Sequence, residues 1–172
     1  MPTETFYGLA ADPLSGQGVR RVLALKGRDS DKPLLVLFSS REQLVRLGVT
    51  ASDELLDRCF AIWPAPLTVV LPLSRPIPAS LGTSSLGVRL PAHDALRALL
   101  ARTGPVTGTS LNRSGEPPCA DADSAARVAP EEIDVLVDAG KTPGGLPSTL
   151  VDATVSPPRL LRAGAFPWPP GK

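Results

Sequence analysis

The sequence predicts an α/β protein, or α+β in stricter schemes, built on an open, twisted, mixed β-sheet with helices on both faces. Short apolar runs rich in β-forming residues alternate with amphipathic, capped helical segments, but without a strict βαβ rhythm. The run L-L-V-L-F at residues 34–38 is apolar throughout, as expected for a strand covered on both faces. The 20 prolines indicate many short elements joined by rigid turns.

The first 102 residues carry four predicted strands and four predicted helices. The strands are expected at residues 5–11, 34–38, 67–73 and 86–90, and the helices at residues 18–26, 39–47, 52–62 and 94–102. In the first helix Val19 and Val22 share one side, Arg20 and Arg21 lie opposite, and Gly27 ends it. Serine caps begin the next two helices, and a glycine or the W-P-A-P turn ends them.

The second half adds shorter elements. A helix is predicted at residues 121–128, strands at residues 133–137, 148–153 and 159–162, and a flexible loop at residues 140–147. We expect the last two strands to pair antiparallel, which makes the sheet mixed.

Length, composition and net charge limit the classes of protein to which the chain could belong. At 172 residues the chain is expected to form one domain, residues 1–172, with a core that needs no disulfide or metal. Apolar residues make up 42% of the chain and charged residues 20%, which indicates a globular protein. The net charge of +1 does not by itself indicate a nucleic-acid binder, and a local basic patch stays open. No signal peptide or membrane-length apolar run is present, so we expect a cytoplasmic protein with no membrane contact.

Familiar catalytic signatures are missing from the sequence. It has no P-loop, no dinucleotide-binding glycine pattern, no nucleophile elbow and no zinc-type His/Cys spacing. Cys59 and Cys119 are too few for a disulfide framework and are expected to be buried thiols in a reducing compartment.

The segment T-G-T-S-L-N-R-S-G-E-P-P, residues 107–118, is the strongest candidate for a binding site. Gly108 permits the close approach of a phosphate, and Ser110 and Asn112 would share one face of a strand end. Upstream, Lys26 and Arg28 lie at the C-terminal end of the first predicted helix and would offer cations to the same phosphates. The alternatives are a plain polar loop for the segment and a helix-dipole role for the two cations.

Arg89 is the single charge in an otherwise apolar predicted strand. An unpaired Arg there would be costly, so it either forms an internal salt bridge or binds a carboxylate or phosphate of a ligand. The sequence leaves both open. His93 is expected to be an exposed turn residue without a catalytic role.

Seven segments, in order and across nearly the whole chain, resemble the YrdC/TsaC family: P-T-E-T-F-Y-G-L-A-A-D-P, L-K-G-R-D-S-D-K-P-L, W-P-A-P-L-T-V-V-L, G-V-R-L-P-A-H, T-S-L-N-R-S-G-E-P-P, S-T-L-V-D and L-L-R-A-G-A-F. The resemblance implies an L-threonylcarbamoyladenylate synthase, a nucleotidyltransferase. Such an enzyme condenses L-threonine, bicarbonate and ATP into threonylcarbamoyl-AMP and pyrophosphate, and downstream threonylcarbamoyl-transfer proteins use the product to form threonylcarbamoyladenosine beside the anticodon of tRNA.

The same resemblance implies the ligands. ATP enters as a substrate with Mg²⁺ held mainly by its phosphates, so neither a tightly bound prosthetic group nor a protein metal site is expected. The implied fold has a concave, positively charged face. Because the family was first described as binding double-stranded RNA, tRNA or double-stranded RNA is a further implied partner.

The resemblance also assigns site residues. Those implied as catalytic are Lys26, Arg28, Ser110 and Asn112. Those implied near ATP are the same four with Ser30, Ser85, Pro118 and Arg162. Those implied to bind L-threonine are Thr3, Arg89 and Ser148.

Departures from the family pattern raise further expectations. Leu111 replaces an Ala and would crowd the adenosine site, Pro147 replaces a Glu, and Leu37 replaces a His of the longer members. The family's first helix and half-strand are expected to be missing before P-T-E-T, either because the start is set too late or because the chain is shortened. Thr3 would then lie at a frayed terminus.

Two rival functions stay open. One is a non-catalytic RNA-binding or ribosome-maturation module that uses the same basic concavity. The other is carbamoyl-adenylate chemistry of the hydrogenase-maturation type, but the sequence shows neither the zinc-finger nor the acylphosphatase module that accompanies it.

Overall fold

The computed structural model describes residues 1–27, 32–112, 116–128 and 133–168. The strands in these ranges are β1 (Gly8–Leu9), β2 (Val36–Leu37), β3 (Leu67–Pro72), β4 (Ser85–Arg89), β5 (Val106–Thr107), β6 (Thr109–Ser110), β7 (Thr149–Asp152) and β8 (Arg159–Arg162). The α-helices are α1 (Gly16–Lys26), α2 (Arg41–Arg46), α3 (Asp53–Phe60), α4 (Asp94–Thr103) and α5 (Ala122–Val128), and a 3₁₀ helix covers Pro78–Ser80.

The main sheet contains six of these strands in the order β5-β2-β4-β3-β7-β8. The pairs β2–β4 and β3–β7 are parallel, whereas β2–β5, β3–β4 and β7–β8 are antiparallel. The sheet is therefore mixed, and the predicted antiparallel pairing of the last two strands is confirmed. A separate two-stranded sheet joins β1 and β6 antiparallel and places Gly8 opposite Ser110.

Both faces of β2 are buried. Val36 and Phe38 lie in the larger hydrophobic core, while Leu37 lies in a smaller one with Leu96 and Leu100 of α4. Successive side chains of a strand point to opposite faces, so this split shows that core covers the strand on each side. The uninterrupted apolar run was therefore a sound indication of a doubly covered strand.

Leu37 also explains one of the glycines in the candidate binding segment. A Cβ added to Gly108 would lie 2.6 Å from Cγ of Leu37. Contacts that short do not occur in well-packed interiors, so packing against Leu37 requires glycine here. The sequence by itself indicated only the approach of a phosphate at this glycine.

Helix α1 begins two residues earlier than predicted. The side chain of Ser15 caps it by accepting a 3.1 Å hydrogen bond from the backbone N–H of Gly18, so the helix starts at Gly16. Gly27 ends the helix in the left-handed conformation with φ 55°, as predicted.

His93 is a helix cap rather than a plain turn residue. Its Nδ1 accepts a 3.2 Å hydrogen bond from the backbone N–H of Leu96, at the start of α4. The imidazole thus satisfies one of the helix's unpaired N–H groups.

Two predicted strands are corrected. Residues 133–137 contain no strand; Val135 is 74% exposed there, and the Asp134 carboxylate instead accepts a 2.9 Å hydrogen bond from Arg21. The strand expected at residues 5–11 shortens to β1, because the side chain of Thr3 bonds to the backbone of residues 5 and 6 and turns the chain.

Within the described ranges no helix has the length and apolar character that a membrane crossing requires.

Candidate functional site

A cavity of about 880 Å³ lies over one side of the sheet, between the end of α1, strand β6 and the strands β3, β4, β7 and β8. The site residues that the sequence predicted and that line this cavity are Thr3, Lys26, Ser85, Arg89, Ser110, Asn112, Ser148 and Arg162. Pro118 is not part of its lining. Arg28 and Ser30 lie outside the described residues.

Lys26 joins the end of α1 to β6 and the residues after it. Its ammonium donates 2.7 Å hydrogen bonds to the backbone carbonyl of Ser110 and to Oδ1 of Asn112, and it lies 3.3 Å from Oγ of Ser110. Lys26 is only 5% exposed and lines the cavity, so a ligand would reach its ammonium from there. Its specific contacts go beyond the helix-dipole role that the sequence left open.

Ser110 and Asn112 face the same side of the chain. The hydroxyl of Ser110 donates a 2.7 Å hydrogen bond to Oδ1 of Asn112, and Nδ2 of Asn112 donates to the carbonyl of Glu116. Leu111 between them points the other way, is 2% exposed and lines a separate cavity of about 420 Å³. Leu111 therefore does not line the larger cavity, because alternate residues of an extended chain face opposite sides.

Arg89 forms the internal salt bridge that was one of the two alternatives the sequence left open, and it also faces the cavity. It ends β4, lines the cavity, and lies 3.4 Å from the carboxylate of Glu4 in a buried ion pair. Burial lowers the pKa of Arg89, the nearby Glu4 carboxylate opposes that change, and the positive charge of Arg162 adds to it. A guanidinium held in this way is suited to a carboxylate or phosphate ligand.

Ser148 lies opposite, just before β7. Its hydroxyl is 2.9 Å from Oγ1 of Thr68, and its backbone carbonyl accepts a 2.8 Å hydrogen bond from Arg162. Burial lowers the pKa of Arg162. Thr68 is not among the site residues that the sequence predicted, although it is 3% exposed and lines the cavity. The signal for Thr68 in the sequence was a lone hydroxyl in an otherwise apolar predicted strand.

Thr3 is held in an ordered turn, not at a frayed end as expected. Its hydroxyl donates a 2.8 Å hydrogen bond to the carbonyl of Phe6 and accepts bonds from the N–H groups of Thr5 and Phe6. The amino terminus of Met1 donates to the carbonyl of Gly8, which closes the same turn. Thr3 lines the cavity with its hydroxyl engaged in these backbone hydrogen bonds.

The cavity favours anions. Among the described residues its lining carries Lys26, Lys32, Arg89 and Arg162 and contains no Asp or Glu. Most of the other polar side chains in its lining are those of Thr and Ser. Within the described ranges no group of three His, Cys, Asp or Glu side chains is arranged to hold a metal ion. Such a lining is suited to a ligand that brings several negative charges, such as a phosphate chain or a carboxylate.

Comparison with known proteins gives a consistent result. The Sua5/YciO/YrdC family model, described as "Telomere recombination", matches residues 1–164. The threonylcarbamoyl-AMP synthase of Pyrococcus abyssi is 38% identical over 169 residues, which cover 96% of this chain and 50% of that protein. The enzyme of the same name from Bacillus subtilis is 35% identical over 171 residues, which cover 96% of this chain and 49% of that protein.

A solved structure agrees with these relatives. The crystal structure of P. abyssi Sua5 complexed with L-threonine matches with a TM-score of 0.86 at 38% identity, and the match covers 96% of this chain and 50% of that one. The chain thus spans about half the length of these relatives. The family model and the solved structure both match nearly the whole of this chain, which therefore belongs to the Sua5/YciO/YrdC family.

Proposed function

We propose that this chain is an L-threonylcarbamoyladenylate synthase, which joins L-threonine, bicarbonate and ATP into threonylcarbamoyl-AMP and pyrophosphate. One observation carries the proposal: the Lys26, Ser110 and Asn112 cluster and the Arg89 guanidinium face one cavity whose described lining has no acidic residue. The names of the relatives and the bound L-threonine of one of them support it.

The lysine end of the cavity would serve phosphoryl transfer. A carbamate oxygen attacks the α-phosphorus of ATP, and the bond to the departing pyrophosphate breaks. Negative charge grows on the phosphoryl oxygens, and the Lys26 ammonium would stabilise it electrostatically. Ser110 and Asn112 already fix the ammonium and would orient the phosphate chain. The resemblance adds Arg28 as a second cation and Ser30 and Ser85 near ATP.

The arginine end would bind the amino acid. The planar fork of Arg89 matches a carboxylate with two parallel hydrogen bonds. Ser148 and Thr68 face the cavity with paired hydroxyls, which suit the small hydroxylated side chain of L-threonine. Carbamate formation from the amine and bicarbonate then needs positioning more than a strong base.

Magnesium would enter as part of the substrate. The described lining offers neutral hydroxyl and carbonyl oxygens, which suit an ion that arrives already coordinated by ATP phosphates. The product would be used in tRNA threonylcarbamoyladenosine formation, so downstream threonylcarbamoyl-transfer proteins are the proposed partners. We further propose that residues 1–172 act as a single domain.

The rival RNA-binding function receives less support. Lys26 and Arg89 are 5% and 4% exposed, and cations that deep are suited to a small ligand rather than to the phosphates of a duplex. If RNA binding were the function, Lys26→Ala with Arg28→Ala would weaken it in a salt-dependent manner and ATP would have no effect.

The test is pyrophosphate formation by the purified chain. With L-threonine, bicarbonate and Mg-ATP together, we expect pyrophosphate release and threonine-dependent exchange of label between pyrophosphate and ATP. Omission of any one substrate should abolish net synthesis. Release that ignores L-threonine, or no release at all, would contradict the proposal; carbamoyl phosphate replacing threonine would indicate the hydrogenase-maturation chemistry.

A further inference from the structure

Glu4 lies directly behind the Arg89 guanidinium. The two side chains approach to 3.4 Å and are 10% and 5% exposed respectively. Arg89 lines the larger cavity, but Glu4 does not. A ligand in the cavity would therefore meet Arg89 without touching Glu4.

The backbone fixes Glu4 in this place. Thr3 accepts hydrogen bonds from the N–H groups of Thr5 and Phe6 through its side chain, which locks the turn that carries Glu4. The carbonyl of Thr5 also accepts a 2.8 Å hydrogen bond from the N–H of Gly144, which ties the turn to a distant segment. These hydrogen bonds hold the backbone on both sides of Glu4 and so fix the position of its carboxylate.

The charges around Arg89 make Glu4 its stabilising partner. Burial disfavours the charged guanidinium, and Arg162 repels it, while the Glu4 carboxylate attracts it. Removing one member of a buried ion pair leaves the other charge uncompensated. Without Glu4, Arg89 would still be repelled by Arg162, and no other carboxylate among the described residues would offset that repulsion.

The hydrogen-bonding capacity of the pair is not used up. Nε of Arg89 and both carboxylate oxygens of Glu4 are buried and lack hydrogen-bond partners. The ion pair is therefore held by charge and packing rather than by a hydrogen bond.

We propose that Glu4 is a positioning residue for the amino-acid substrate: it holds the Arg89 guanidinium in place and aimed at the cavity, and so sets the affinity for the substrate carboxylate. The inference rests on the proposed function. Glu4 itself makes no contact with substrate, and it acts only through Arg89.

The test measures binding of three ligands by calorimetry: L-threonine, L-threoninol, which lacks the carboxylate, and ATP. The variants are Glu4→Gln, which keeps the shape and removes the charge, Glu4→Asp, Arg89→Gln, and the double variant Glu4→Gln/Arg89→Gln. We expect Glu4→Gln to weaken L-threonine binding on the order of tenfold, as for a misdirected charge-assisted hydrogen bond, and to leave threoninol and ATP unchanged. Glu4→Asp should recover part of the affinity.

The double variant separates positioning from a general effect on folding. If Glu4 acts through Arg89, Glu4→Gln should have no further effect on threonine binding once Arg89 is already Gln. Additive losses, or equal losses for all three ligands, would mean that Glu4 is merely structural and would overturn the inference. Tighter threonine binding by Glu4→Gln would also overturn it, because Glu4 would then compete with the ligand for Arg89.

Failure of the proposed function would look different. Wild-type protein that binds no L-threonine would overturn both the function and the inference. Wild-type protein that binds L-threonine, beside a Glu4→Gln variant of equal affinity, would overturn the inference alone.

Discussion

Lys26 donates a 2.7 Å hydrogen bond to Oδ1 of Asn112, a residue 86 positions further along the chain. The same ammonium donates to the carbonyl of Ser110. One side chain therefore fixes the end of α1 against the end of β6 and against Asn112, which follows it. The Lys26 ammonium, which we propose binds phosphate, thus also holds these segments together. Its geometry is set before any ligand arrives, which is what electrostatic stabilisation of a transition state requires.

Lys26→Met should abolish most of the proposed activity. The ammonium is the only described cation that bonds directly to both Ser110 and Asn112, and removal of one preorganised donor costs about 10²–10³-fold in turnover. Threonine-dependent pyrophosphate release measures the loss. Arg20→Met, an exposed change on the same helix, is the matched control and should leave turnover unaltered. Equal activity in both variants, with normal unfolding curves, would remove Lys26 from the mechanism.

Gly108→Ala should destabilise the protein by about 1–3 kcal/mol, the usual cost of overpacking, because its Cβ would meet Leu37 at 2.6 Å. Urea unfolding measures the change. Gly16→Ala is the control, since its Cβ meets only the flexible end of Arg20 and should cost little. In the Leu37→Ala background the same Gly108 change should cost less. A cost that is equal in both backgrounds would contradict the packing explanation.

Asp152 should contribute stability that acid removes. The hydrogen bond from the Thr154 hydroxyl, with smaller contributions from the Thr154 N–H and Arg159, holds the pKa of Asp152 below its ordinary value. A depressed pKa in the folded state gives stability that is present above the unfolded pKa, about 4, and is lost as the pH falls through the folded value. Asp152→Asn should therefore lower the free energy of unfolding most near pH 7.

Urea midpoints at pH 7 and pH 3 check this dependence. The gap between wild type and Asp152→Asn should shrink at pH 3. The exposed Asp123→Asn is the control and should change stability by no more than about 0.5 kcal/mol at either pH. A gap that widens in acid would show that the carboxylate is not the stabilising form.

Tyr7→Phe should loosen the segment around residue 140. The buried phenol donates a 2.7 Å hydrogen bond to the carbonyl of Gly140, and its loss would leave that carbonyl without this donor at a cost of about 1 kcal/mol. Burial raises the pKa of Tyr7, so the phenol stays protonated and able to donate. Hydrogen exchange of the Gly140 amide should accelerate, while the amide of Leu71 in β3 should not change. Unchanged exchange at Gly140 would mean that other contacts hold the segment.

The sequence indicated most elements because their signals are local. Gly27 ended the first predicted helix, and the apolar run around Val36 matched a doubly covered strand, whereas the Ser15 cap was not predicted. The strand predicted at residues 133–137 was wrong because its apolar residues had β propensity but found no strand partner. Propensity describes a residue's neighbours in sequence, whereas a strand also needs a neighbour in space.

What the sequence by itself determined was the family pattern, the mixed α/β class, and the residue types that a nucleotide and an amino acid would need. Only the tertiary structure decided that Lys26 meets Ser110 and Asn112, that Leu111 turns away from them, and that Glu4 lies behind Arg89. The physical reason is distance along the chain. Caps and periodicity act within a few residues, but these contacts join segments brought together by strand order and burial.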